Sequence, residues 1–297
     1  MKIFITGVTG FIGGSIAKAL VESGHQVAGL VRDDEKVEFL KKQGIEPIKG
    51  SLSDLATLSQ AAQNSDIIVN AADADNREVV EVILSAIRGS NKTFIHTSGS
   101  SIVADASGGE FSEKVFDETM ELKPHEEKVS RVAIDSLVRD SAKQGIRSIV
   151  ICPTMIYGTG SGYKSHSIQI PMLIKQAKKD GVARYIGRGL NVWSNVHIDD
   201  LVNLYLLALE KAQAGDFFFA ENGEQELKAI SEEIGQILNL PVESWTENEA
   251  VEAFGRGAAV FSLGSNSRVR ALKARRDLGW QPKTNDILGA IKSDLKV

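Results

Sequence analysis

Cysteine is almost missing from this chain, with Cys152 alone among 297 residues. No disulfide can close within it, and the cytoplasm is the expected location. Cys152 lies in an apolar, strand-like run with no histidine near it in sequence, so a packed thiol is expected rather than a nucleophile. Long apolar runs are missing too. No 18 consecutive residues are apolar, which excludes an ordinary membrane-spanning helix. The apolar start at Ile3 is broken by Thr6, Gly7 and Gly10, and no cleavage signal follows, so no secretory signal is expected. Five histidines and one cysteine are scattered without metal-ligand spacing, so no metal site is expected. The G-x-S-x-G elbow of serine hydrolases is absent. A net charge of −5 favours neither nucleic acid nor an anionic membrane as a partner. Tyrosine is absent from residues 1–156, which restricts the acid–base chemistry open to the first half.

The first hundred residues alternate short apolar runs with amphipathic stretches. Strands are predicted at 2–6, 26–31, 46–49, 66–70 and 93–97, with helices at 11–23, 34–43, 54–63 and 76–88. That alternation requires crossover connections, hence a parallel sheet with helices on both faces. Residues 99–123 form a polar stretch rich in Gly, Ser, Asp and Glu. A helix is predicted over 124–144, a buried strand at 146–152 and a Gly- and Ser-rich loop at 157–167. Further helices are predicted at 168–179, 201–212, 226–238, 248–254 and 268–278. The expected fold is α/β: a doubly wound parallel Rossmann sheet, residues 1–157, with a smaller C-terminal α/β substrate lobe, residues 158–297. A segment near 190–220 is expected to return to the first domain.

Gly7, Gly10 and Gly13 are spaced G-x-x-G-x-x-G directly between the first strand and the first helix. Gly7 allows the tight turn, Gly10 lets the backbone approach a pyrophosphate, and Gly13 lets helix and strand pack closely. The helix N-terminus offers N–H groups and partial positive charge to phosphate. A dinucleotide is therefore the expected cofactor. The second strand ends in Val31-Arg32-Asp33-Asp34. Arg32 can stack on adenine and pair with a ribose 2′-phosphate, with Lys36 in support, so NADP is expected ahead of NAD. A salt bridge from Arg32 to Asp33 or Asp34 is the alternative use of that side chain.

The stretch Thr6-Gly-Val-Thr-Gly-Phe-Ile-Gly13 resembles the extended short-chain dehydrogenase/reductase superfamily, or NAD-dependent epimerase/dehydratase family. Later segments carry the same resemblance: Asn70-Ala71-Ala72, His96-Thr97-Ser98, Cys152-Pro153-Thr154-Met155-Ile156-Tyr157-Gly158, Val196-His197-Ile198-Asp199-Asp200, and Arg275 through Pro282. The resemblance implies that Thr9, Phe11, Ile12, Leu52, Ala71, Ala72, Thr97 and Pro153 join the glycines around the cofactor. It also implies a possible homodimer through the helices at 76–88 and 124–144. The family's Tyr-x-x-x-Lys pair, however, aligns with Glu127-Lys128-Val129-Ser130-Arg131, which resembles the superfamily's atypical members.

The remaining chemistry rests on other residues. The family's catalytic serine or threonine follows the fifth strand, where Ser100 is the first candidate and Ser98 the second. Turn serines bonded to their own backbone are the alternative. Tyr157 is a candidate pocket hydroxyl, with core packing as its other use. Tyr163 and His166 lie in the loop beyond it, and His197 is open to a core role. Glu127 and Arg131 share a helix face. Either they form an exposed pair, or Arg131 holds the nicotinamide ribose in place of the lysine, with Glu127 as its partner or as a substrate contact. Glu127 is not expected to be the proton donor, because a neighbouring arginine favours its charged form. Three functions follow. The first is an NADP-dependent oxidoreductase for a small carbonyl, alcohol or sugar-like substrate. The second is a non-catalytic NADP-binding redox sensor. The third is a nucleotide-sugar epimerase or dehydratase.

Overall fold

The computed structural model describes residues 1–295. The chain opens with β1 (Lys2–Thr6), α1 (Phe11–Glu22), β2 (Gln26–Val31), α2 (Asp34–Lys42), β3 (Glu46–Lys49), α3 (Leu55–Gln63), β4 (Ile67–Asn70), α4 (Arg77–Ala86) and β5 (Thr93–Thr97). It continues through β6 (Phe116–Asp117), α5 (Val129–Asp140), β7 (Arg147–Pro153), β8 (Met155–Tyr157), α6 (Gln169–Asp180), β9 (Ala183–Ile186) and β10 (Val192–His197). Then follow α7 (Ile198–Lys211), β11 (Asp216–Ala220), β12 (Glu224–Glu226), α8 (Leu227–Leu238), β13 (Val242–Trp245), α9 (Glu247–Phe254), α10 (Arg256–Ala258), β14 (Val269–Arg270), α11 (Leu272–Leu278) and α12 (Ile287–Leu295).

Seven parallel strands form the main sheet in the order β11-β7-β5-β4-β1-β2-β3. Their apolar runs are buried on both faces, as the crossover helices require. The chain runs outward from β1 to β3, then restarts at β4 on the other side of β1. The β1/β4 boundary is therefore the switch point, where crossover loops diverge and leave a crevice at the carboxyl ends of the strands. Thr6 and Asn70 mark that edge, and Thr6 Oγ1 donates to Asn70 Oδ1 at 2.5 Å.

Residues 198–220 belong to the larger core: α7 packs on α1, and β11 adds to the sheet beside β7. Residues 269–280, which carried no such expectation, belong to it as well through Val269, Ala274, Leu278 and Trp280. The Trp280 indole donates to the Asp200 carbonyl at 2.9 Å, and the Asp200 carboxylate accepts from the backbone of Lys283 and Thr284. The segments at 196–200 and 275–282 thus fasten the C-terminal part of the chain to α7. A second core around Met155, Ile170, Trp193, Leu227 and Trp245 supports the smaller lobe.

Two element boundaries differ from expectation. The helix predicted from residue 124 starts as a 3-10 turn at Glu126–Lys128 and becomes α-helical only at Val129, with His125 Nδ1 accepting from the Glu127 amide at 3.3 Å. The helix predicted over 268–278 begins at Leu272, because Val269 and Arg270 pair with Phe116 and Asp117 as a short parallel ladder. No helix among the described residues is long and apolar enough to cross a membrane.

Candidate active site

The loop after β1 is built for close approach. Gly7 holds φ +75°, where a side chain is strained, and a Cβ there would stand 2.6 Å from the Ala71 carbonyl oxygen. A Cβ on Gly13 would stand 2.4 Å from the Gly7 carbonyl oxygen. Gly10 differs: its φ is −81° and its Cβ position meets only that same oxygen, at 3.0 Å. No side chain caps α1 and no acid lies in its first turn, so its leading N–H groups and positive dipole end remain for an anion. The uncapped terminus, the bare glycine backbone and the switch-point crevice fit a dinucleotide pyrophosphate.

Around the loop, Thr9, Phe11 and Ile12 are half-buried. Ala71 and Ala72 cross beside Gly7, and Leu52 is half-buried beyond β3. Thr97 is buried and shares a 2.6 Å hydrogen bond with the Tyr205 hydroxyl, while Pro153 is buried at the end of β7. At the end of β2, Arg32 is exposed and makes no ion pair among the described residues. The acids beside it are otherwise engaged: Lys36 pairs with Asp33, and Lys49 pairs with Asp34. The Lys36 hydrogen bond and charge hold the Asp33 carboxyl below its usual range.

The smaller lobe reaches back over this region. The loop at 158–167 lies on α1 so closely that a Cβ on Gly162 would stand 2.1 Å from the Gly10 carbonyl oxygen. Lys164 N donates to the Thr9 carbonyl at 3.0 Å, and Ser161 N donates to Ser15 Oγ at 3.0 Å. Tyr163 continues to α2, where its hydroxyl donates to Glu35 at 2.6 Å and its edge meets the Phe39 ring.

The hydroxyl candidates have definite partners. Ser100 is buried and shares a 3.0 Å hydrogen bond with Ser267. Tyr157 lies in the second core, edge-on to His197, and donates to the Thr284 carbonyl at 3.0 Å. Burial pushes its phenol pKa up. His197 caps α7 by accepting from Asp199 N at 3.2 Å, and His166 lines a narrow cleft with Tyr157 and Ile170. Ser98, at the end of β5, donates to Asp135 Oδ2 at 2.7 Å.

The Glu127–Arg131 pair does not form. Glu127 is held by Arg256 of the smaller lobe at 2.8 Å, which keeps its carboxyl below the usual range. Arg131 turns inward instead. It grips both carboxylate oxygens of Asp75, and its Nη1 donates to Ser101 Oγ at 2.9 Å. Burial is the largest single influence and works against the guanidinium charge, but the hydrogen bond and charge of Asp75, with the acidic groups of Cys152 and Asp135, together hold it above its usual value. Arg131 thus bridges the loops after β4 and β5. Ser101 belongs to the serine run after the fifth strand, whereas Asp75 and Asp135 carried no sequence expectation. Asp135 alone had a local signal, standing one turn after Arg131 on α5. Arg131→Ala should weaken dinucleotide binding at least about tenfold, since it removes a charged bidentate contact holding two loops. Calorimetry checks this: a lower Tm with unchanged affinity would make Arg131 a structural tie only.

The family model for the NAD-dependent epimerase/dehydratase family matches residues 3–218. The chain belongs to that family. Among its relatives is the oxidase ucsJ of Acremonium sp, 31% identical, the match covering 95% of this chain and 92% of that one. Another is a 4-hydroxy-2-methyl-3-oxo-4-farnesyl-3,4-dihydroquinoline-1-oxide ketoreductase of Stigmatella aurantiaca, 24% identical over 94% of this chain and 92% of that one. The fold matches the dTDP-glucose 4,6-dehydratase of Bacillus anthracis with TM-score 0.78 at 19% identity, covering 100% of this chain and 96% of that one. The family is described as NAD dependent, and the matched residues include the glycine loop. The inward face of α5 now carries Arg131 and Asp135, with Glu127 turned to the smaller lobe.

Proposed function

We propose that the protein is an NADP-dependent oxidoreductase acting on a small carbonyl, alcohol or sugar-like compound, with NAD the second choice of cofactor. The observation that carries the cofactor choice is the end of β2. Asp33 and Asp34 are neutralised by Lys36 and Lys49, which leaves Arg32 as the exposed, unpaired cation beside the adenosine end of the site. A ribose 2′-phosphate matches a free guanidinium, whereas a ribose diol calls for a free carboxylate at this position. Similarity to an oxidase and a ketoreductase along almost the full chain supports redox chemistry. The dinucleotide, when bound, supplies or accepts the hydride. The chain's residues hold it at the β1/β4 crevice and handle the proton. The substrate is a small molecule, and a homodimer through α4 and α5 and residence in the cytoplasm belong to the same proposal.

Arg32→Ala should raise the Kd for NADPH about 10- to 150-fold and leave NADH nearly unchanged, because a charge-assisted contact to phosphate contributes about 1.5–3 kcal/mol. Equal losses for both cofactors would remove NADP preference. NADPH consumption against a panel of aldehydes, ketones and quinones tests the activity. One observation favours a second reading, a non-catalytic NADP sensor: the hydroxyls of Ser100 and Tyr157 are already committed to other groups. Tight NADPH binding with no turnover on any carbonyl would select it.

A further inference from the structure

We propose that Asp135 holds the proton used at Ser98 and regains it from solvent through the cavity beside α5. The inference rests on the oxidoreductase reading. Ser98 stands at the carboxyl end of β5, on the edge where the dinucleotide crevice opens, and donates to Asp135 Oδ2 at 2.7 Å. Asp135 is 4% exposed. Its other oxygen, Oδ1, is buried without a hydrogen-bond partner, as is His96 Nε2, 3.8 Å away. The histidine's state follows from its other side. Asn70 Oδ1 accepts from Thr6, so its amide Nδ2 faces His96 Nδ1 at 3.1 Å as a donor. The neutral ring therefore carries its hydrogen on Nε2, toward Asp135 but beyond bonding distance. Asp135 also lines a cavity of about 50 Å³ with Glu118, Met120, Arg139 and Phe219. That space is large enough for water, and Met120 and Arg139, which line it, are exposed to solvent.

The charged and titratable groups around Asp135 come from each neighbouring element. They are His96 of β5, Arg131 and Arg139 of α5, Asp75 of the loop after β4, Cys152 of β7, and Asp117 of β6 and Glu118 across the cavity. Burial outweighs the Ser98 hydrogen bond and the two arginines and pushes the Asp135 carboxyl up to about 7, so both protonation states are populated near neutrality. Carbonyl reduction consumes one hydride and one proton. The Ser98 Oγ–H proton passes to the substrate oxygen as the carbon gains the hydride. The Asp135 carboxyl proton passes to Ser98 Oγ, leaving a carboxylate between Arg131 and Arg139. A proton from bulk solvent, relayed by water in the cavity, then restores the carboxyl, so that the relay ends as it began. Asp135 is thus a positioning and proton-supplying residue that acts through Ser98.

The test compares the full-length wild type with Asp135→Asn and Ser98→Ala. NADPH turnover of an active carbonyl is followed from pH 5.5 to 9, together with carbon-13 NMR of aspartate carboxyls in the cofactor-free protein. In the wild type, one carboxyl should titrate near 7 and kcat should fall above that pH. Asp135→Asn should abolish that titration and the alkaline fall and lower kcat about 10- to 100-fold, with NADPH Kd within about threefold. Should Asp135→Asn fail to fold, Ser98→Ala severs the same link. It should remove the alkaline fall while a carboxyl still titrates at or above 7. An active wild type with an unchanged pH profile in the folded variant, or no aspartate titrating above 5, overturns the relay alone. A wild type inactive on every carbonyl overturns the oxidoreductase reading and the relay with it.

Discussion

Gly10→Asp will give a folded protein whose dinucleotide affinity is at least about 100-fold weaker. Gly10 is the one glycine of the motif that tolerates a side chain. Its φ is −81°, and a Cβ would meet only the Gly7 carbonyl oxygen, at 3.0 Å. Alanine at Gly7 or Gly13 would instead press into backbone at 2.6 or 2.4 Å and disturb the fold along with the site. An aspartate at position 10 places a carboxylate at the uncapped start of α1, where the cofactor phosphates belong. Two like charges about 4 Å apart repel by about 4 kcal/mol at a surface-like dielectric. The same carboxylate caps the helix and interacts favourably with its dipole by about 0.3–1 kcal/mol, so Tm should hold or rise. Calorimetric titration with NADPH and NADH beside a melting curve checks both parts. Unaltered affinity in a folded variant would mean that the pyrophosphate lies elsewhere.

Asp135→Asn should stabilise the protein above pH 7 and do little near pH 4. Burial raises the Asp135 carboxyl from 3.8 to about 7. The folded state therefore holds this proton more tightly than the unfolded chain does. The contribution is fully favourable below about 4, declines as pH rises toward 7, and is flat beyond. The difference corresponds to about 2–4 kcal/mol, a Tm gain on the order of 5 °C or more at pH 8. His96 acts with the opposite sign. Burial, aided by Arg131, lowers its pKa from 6.5 to about 4. Its contribution therefore grows as pH rises from about 4 to 6.5. In the wild type the two slopes oppose each other over that range, and the asparagine variant should reveal the histidine's rise. Melting both proteins from pH 4 to 8 checks this. A Tm difference independent of pH would place the Asp135 carboxyl at an ordinary pKa.

The nucleotide half of the fold was readable because its signals are local. Apolar runs of four to six residues between amphipathic stretches specify buried parallel strands and covering helices. The residues of β1, α1, β2 and β5 follow that pattern closely. The glycine loop was readable for the same reason, since strand, turn and helix are contiguous. The start of α5 was not, because the His125 cap and the 3-10 turn at Glu126 delay a helix that the pattern begins at Pro124. The strand at Val269–Arg270 was hidden as well, because its partner, Phe116–Asp117, is remote in the chain.

By itself the sequence determined the doubly wound sheet, the glycine loop between β1 and α1, the exposed cation at Arg32, and the absence of tyrosine before residue 157. Tertiary structure alone decided what the charged residues of α5 and of the 3-10 turn before it do. Helix spacing brings Glu127 and Arg131 within reach of each other, but a longer-range partner won in each case. Arg131 meets Asp75, 56 residues earlier, and Glu127 meets Arg256, 129 residues later. An inward guanidinium loses its water, and burial is tolerable only beside an acid that replaces the lost hydration. Asp75 offers two oxygens in bidentate geometry, while Glu127 stays in solvent at the lobe boundary. Asp135 follows the same physics. A carboxyl one turn along α5 reads as a surface charge in sequence, and only the packing of α5 against β5, β7 and β11 removes it from water and sets it against Ser98.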